Sequence, residues 1–125
     1  MTAMADRLEV PSGALTTVID DDLVLTTHSD DWRATIQIRS EPCWGLPEHV
    51  RRALESHLAV DRVLLRIDVS AVERLDEEVI EVLVDAHLRM LLRRGTFVIV
   101  GASPGAVEAI SATPGGERLL VQARR

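Results

Sequence analysis

Lysine is missing from this chain: all 14 cationic residues are arginine. Schiff-base chemistry and any lysine nucleophile are therefore excluded. An arginine-only complement is the bias of a GC-rich bacterial genome, so a bacterial source is expected. Cysteine is nearly absent too. Cys43 stands alone, so no internal disulfide can form and a reducing cytoplasm is the expected compartment. No apolar run approaches membrane-spanning length, and the opening M-T-A-M-A-D-R-L-E-V has neither the basic nor the apolar region of a signal peptide. No membrane association is expected. Arginines never cluster beyond adjacent pairs, and the formal net charge is -6. Nucleic acid is disfavoured as a partner, because phosphate binding needs a basic footprint.

Metal-ligand spacing is also lacking. His28, His49, His57 and His87 are scattered and the one cysteine is isolated, so neither metal nor other cofactor is expected. The acidic run Asp20-Asp21-Asp22 lacks the oxygen spacing and glycine of a calcium loop and reads as a solvated turn. G-A-S-P-G at 101–105 lacks both the G-x-G-x-x-G and the G-K-[ST] of phosphate cradles and reads as a strand-to-helix turn. Adjacent acids such as Asp76, Glu77 and Glu78 do not resemble catalytic carboxylates facing each other across a cleft. No catalytic residue can be assigned, and the chain is expected not to be an enzyme.

What is present is the patterning of one α/β domain. The chain has 125 residues, 46% of them apolar, enough for a core without staples. Residues 1–20 read as a flexible lead-in with at most one short strand, and 21–125 as the domain. Leu23 to Thr27 reads as a strand, and Ser29, Asp30 and Asp31 supply turn chemistry. Trp32, Ala34, Ile36 and Ile38 then alternate with polar residues, giving a half-buried strand and an antiparallel hairpin. Val50, Ala53, Leu54, His57 and Leu58 trace one face of a helix that Pro47 opens. Arg62 to Val69 is a strand. Asp76 caps a second helix reaching about Arg94, stopped by Gly95, with Ile80, Leu83, Val84, His87 and Leu91 on its buried face. Thr96 to Gly101 has the continuous apolar pattern of a central parallel strand. Ser103 and Pro104 open a third helix, with Val107 and Ile110 inward, that ends at T-P-G-G. Leu119 to Gln122 adds a last strand. Strand-helix-strand units imply right-handed crossovers. The expected sheet is mixed, with an antiparallel start and a parallel core, packed against helices.

R-L-D-E-E-V-I-E at 74–81 concentrates three acids in a row. Helix electrostatics accounts for them: a helix N-terminus carries partial positive charge and unpaired N–H groups, so acids there stabilise by about 0.3–1 kcal/mol each.

Two stretches carry a family resemblance. V-L-L-R-I-D-V-S-A-V-E-R-L-D at 63–76 and L-R-M-L-L-R-R-G-T-F-V-I-V-G-A-S-P at 88–104 resemble the STAS domain of anti-sigma factor antagonists. The likeness runs from about Trp32 to Gln122. In that family a Ser or Thr follows the aspartate that Asp76 matches. A GHKL-type serine kinase, itself the anti-sigma factor, phosphorylates it and loses its grip on the domain. Here Glu77 stands at that position and Glu78 at the next, so the usual phosphate acceptor is absent. Ser40 and Ser70 keep hydroxyls near the same end of the sheet; either is an alternative phosphate acceptor, and a turn or cap role is the better reading. The resemblance implies a non-enzymatic regulatory protein-binding module, an anti-sigma factor or GHKL-type kinase as partner, and a contact surface of Asp76, Glu77, Glu78, Ile80, Cys43 and Trp44. A Trp44 that closes the core is an equal reading. The alternatives are a nucleotide- or ligand-sensing or transporter-accessory domain, and a scaffolding homodimer paired through the apolar edge near Leu119 to Val121.

Overall fold

The computed structural model describes residues 16–19, 23–28, 32–60 and 62–124. The strands are β1 (Thr16–Ile19), β2 (Val24–His28), β3 (Arg33–Ile38), β4 (Leu64–Asp68), β5 (Thr96–Ala102) and β6 (Leu120–Ala123). The helices are α1 (Leu46–Leu58), α2 (Glu77–Leu92) and α3 (Pro104–Ala112), with a 3₁₀ turn at Gly116–Arg118. The turns read at Asp20–Asp22 and Ser29–Asp31 lie outside the described residues, as does the lead-in before Thr16.

The six strands form one sheet in sequence order. β1 pairs with β2 and β2 with β3 antiparallel, with Val24 opposite Ile38 and His28 opposite Ala34. β3, β4, β5 and β6 run parallel, with Ile36, Ile67 and Ile99 in one row. β1, the one short strand allowed for within residues 1–20, pairs with β2 at the edge of this sheet.

β3, β4 and β5 are each followed by a helix that returns the chain to the start of the next strand. Successive right-handed crossovers in one direction place all three helices on one face. Period-two alternation sends Ala34, Ile36 and Ile38, then Leu65 and Ile67, then Phe97 and Ile99 into that face, where they are buried, and the irregularity between Val100 and Ala102 shifts the phase so that Ala102 is buried as well. The opposite face keeps Thr35, Gln37 and Val98 half-buried and Arg66 exposed. From the helices come Val50 and Leu54 of α1, Val79, Ile80, Leu83 and Met90 of α2, and Ile110 of α3. Each such side chain removed from water contributes roughly 1.5–3 kcal/mol.

Several boundaries differ from the sequence reading. Trp32 precedes β3 and is exposed, so the alternation starts at Ala34. Leu91 is half-exposed, because α2 leans on β5 and α1 rather than being covered all round. Val107 is only partly buried, whereas Ile110 points fully inward. Pro47 is the second residue of α1, after Leu46, and Gly45 at the cap has φ 87°.

The stop of α2 also differs. Arg94, not Gly95, takes the left-handed conformation, with φ 61°. The Arg94 N–H donates to the Leu91 carbonyl at 2.9 Å and the Gly95 N–H to the Met90 carbonyl at 2.8 Å. This is a Schellman closure with arginine where glycine usually sits.

Candidate functional site

The carboxyl end of β4, the N-terminus of α2 and the loop between β3 and α1 meet at one end of the sheet. The polypeptide after β4 cannot enter α2 directly, because a parallel crossover must first climb out of the sheet plane. Residues Val69 to Leu75 make that climb. Asp68 Oδ1 accepts from the Ser70 N–H at 2.9 Å and from its hydroxyl at 2.6 Å, forming an Asx-type turn. The Ser70 hydroxyl thus serves the turn. Gly101 lies against this turn with φ 76°, and a Cβ there would sit 3.1 Å from both Cα and N of Ser70. Only glycine fits, and the β5–β6 register shifts between Val100 and Ala102 around it.

Three elements hold the climbing loop. Glu41, from the β3–α1 loop, accepts from the backbone N–H of Glu73 at 2.7 Å and of Arg74 at 3.1 Å. The Ser103 hydroxyl, which caps α3 through the Ala106 N–H, donates to the Glu73 carbonyl at 2.7 Å. Arg124 reaches the Glu73 carboxylate at 2.6 Å and the carbonyls of Ser70 and Val72 at 3.1 and 2.8 Å. None of the three carries a sequence signal for this contact, since each acts across 30 or more residues. Ser103 before Pro104 does read as a helix start, and that part of its role is legible.

With the loop fixed, the α2 tip is placed. Asp76 is extended at φ -97° and ψ 168°, and its side chain accepts from the Val79 N–H at 3.1 Å, closing an N-cap. Glu77 and Glu78 follow in the first turn and are exposed. They splay as consecutive helical residues must, about 100° apart: Glu78 lines the groove between α1 and α2, and Glu77 does not. Ile80 is fully buried in the core and lies off this surface. The resemblance implies a contact residue here, but periodicity places Ile80 on the helix's inward stripe, and the sheet claims it.

Cys43 and Trp44 are both exposed, Trp44 at 98% of its surface. Trp44 therefore does not close the core. The Ser40 hydroxyl donates to the Glu41 carbonyl at 2.9 Å and lies 3.5 Å from the Cys43 sulfur. It braces the loop that Glu41 ties down. The structure thus brings Cys43, Trp44 and Glu78 to one groove of about 440 Å³.

The groove is strongly charged. Arg89 of α2 spans to Glu55 of α1 in a two-pronged contact at 2.6 and 3.0 Å, and lies 3.7 Å from Asp85. The guanidinium holds the Glu55 carboxyl below its usual pKa, and Glu55 in turn raises that of Arg89. Arg51 pairs with Glu48. These pairs are about half exposed and worth little individually. Among the described residues, no group of three or more His, Cys, Asp or Glu side chains could hold a metal. No helix there is long and apolar enough to cross a membrane.

The class is a single α/β domain, a mixed sheet with three helices on one face and an acid-tipped helix beside an exposed loop. The sequence profile of the STAS domain matches residues 23–115, and the chain belongs to the STAS domain family. Among curated proteins none matches it.

Proposed function

We propose that this STAS domain is a non-enzymatic regulatory module that binds a partner protein through the tip of α2. We further propose that phosphorylation does not switch it at that tip. The observation that supports this is Glu77. It opens α2 directly after the Asp76 cap, exposed, where the resembling antagonists carry the phosphorylated hydroxyl. A carboxylate cannot take that phosphate. Phosphoserine carries about -1.5 to -2 charge, and Glu77 with Glu78 carries about -2 when ionised at ordinary carboxylate pKa values. The charge is similar, but it is divided between two side chains that point apart, so the mimicry is partial. The partner the resemblance favours is a GHKL-type serine kinase acting as an anti-sigma factor.

The test compares wild type, Glu77→Ser and Glu77→Ala for binding to, and ATP-dependent phosphorylation by, the GHKL-type kinases of the native host. The expected result is phosphate uptake by Glu77→Ser alone, with kinase affinity differing among the three. Equal binding by all three would reduce the acidic tip to a helix cap.

A further inference from the structure

The groove between α1 and α2 holds more acid than helix electrostatics explains. The dipole effect fades within the first turn, so it covers Glu77 and Glu78. It does not cover Glu81 or Asp85, one and two turns further on. Glu78, Glu81 and Asp85 form a stripe at i, i+3 and i+7, and like charges at such spacing destabilise a helix by a few tenths of a kcal/mol per pair. The groove is lined by five carboxylates and two guanidiniums. Both guanidiniums are engaged, Arg51 with Glu48 and Arg89 with Glu55 and Asp85. Glu78 and Glu81 make no ion pair among the described residues and carry the groove's surplus negative charge. Trp44, 98% exposed, also lines the groove. A bare indole beside carboxylates without counter-ions is what a guanidinium needs: a π face to stack on and oxygens to pair with.

We propose that this groove receives an arginine of a partner protein, presented on an amphipathic segment. Its guanidinium pairs with Glu78 and Glu81 and stacks on Trp44, and its apolar neighbours rest on Val82 and the stem of Arg89. The proposal rests on the protein-binding reading above and names the chemistry of the partner's contact. A small-molecule ligand is the poorer fit, because the groove between the two helices is only half enclosed. Charge complementarity selects the occupant: the groove has net negative charge, and its two arginines are already satisfied within the chain.

The test uses the full chain carrying Trp32→Phe, so that Trp44 is the only indole. The probe is a short amphipathic helical peptide with two arginines one turn apart, and its control replaces both by citrulline, the neutral isostere. The expected results are saturable change of Trp44 fluorescence with the arginine peptide, roughly tenfold weaker binding by the citrulline form, and a steep loss of affinity with added salt. Glu78→Gln combined with Glu81→Gln should weaken the arginine peptide by a similar factor and leave the citrulline peptide unchanged. Both positions are exposed, so a cooperative melt within about 3 °C of wild type confirms that folding is intact. Equal binding of the two peptides, no effect of the glutamine pair, or no saturation up to roughly millimolar peptide would overturn the proposal. Host-kinase binding by wild type alongside any of those outcomes would leave the protein-binding reading standing while this contact fails. Loss of kinase binding with arginine-peptide binding intact would do the reverse.

Discussion

The carboxylate of Glu41 accepts the backbone N–H of Glu73 at 2.7 Å, and that of Arg74 at 3.1 Å. Among the described residues no other hydrogen bond joins the two loops: Glu41 precedes the exposed Cys43–Trp44 pair, and Glu73 precedes the Asp76 cap. One side chain thus sets the position of both halves of the candidate surface. Glu41→Ala is expected to lower stability by about 1–2 kcal/mol, the range for exposed hydrogen bonds to a charged acceptor. Glu41→Gln, which keeps one acceptor oxygen, should lose less. Urea denaturation measures both, and a midpoint unmoved by either change would remove Glu41 from this role.

Asp76 and its two acidic neighbours can be separated by their energies. Loss of the cap in Asp76→Ala should cost about 1 kcal/mol. Glu77→Gln and Glu78→Gln should each cost only a few tenths, because their dipole interaction is solvent-screened. Thermal melts at low and high salt test this ordering. A cap loss below the two glutamine effects would contradict the Asp76–Val79 hydrogen bond as the main anchor of α2.

Arg94 holds the left-handed position that ends α2 at φ 61°. A non-glycine residue there carries roughly 1 kcal/mol of steric penalty. Arg94→Gly is therefore expected to raise stability by about 0.5–1 kcal/mol, partly offset by the greater freedom of glycine when unfolded. Its two closing hydrogen bonds use backbone only and survive the change. A lower melting temperature for Arg94→Gly would show that the Arg94 side chain contributes more than its backbone strain removes.

His87 is buried on α2, 6.1 Å from the Phe97 ring, and its Nδ1 has no hydrogen-bond partner. Desolvation pushes its pKa below the ordinary 6.5. With the folded pKa lower, the unfolded chain takes up the proton first. Stability is complete above about pH 6.5 and falls as pH drops toward the folded pKa. His87→Leu should flatten this part of the stability profile and hold or raise stability near pH 6. A wild-type profile that is level between pH 7 and 5.5 would contradict the assignment.

Much of the fold is legible along the chain because periodicity is local. The inward faces of β3 and β5 and the stripe of α1 follow from spacing alone. So do the Asp76 and Ser103 caps, which depend on a residue three positions away. Trp32 and Leu91 are misjudged, and Trp44 is left open between core and surface, for a common reason. Hydrophobic character says that a residue can be buried, but whether anything arrives to cover it is decided by distant elements. Ile80 fails in the opposite sense: the resemblance implies a contact, and the sheet buries it.

The candidate site divides along the same line. The absent hydroxyl at Glu77, the acids of α2 and the single Cys43–Trp44 pair are fixed by the sequence, because they are matters of chemistry at a position. Their assembly is tertiary. The ties from Glu41, Ser103 and Arg124 to the loop before Asp76, and the pairing of Arg89 with Glu55, join segments far apart in the chain. No local pattern encodes such contacts. They appear only when the parallel crossovers stack α1 beside α2 and bring the strand ends together.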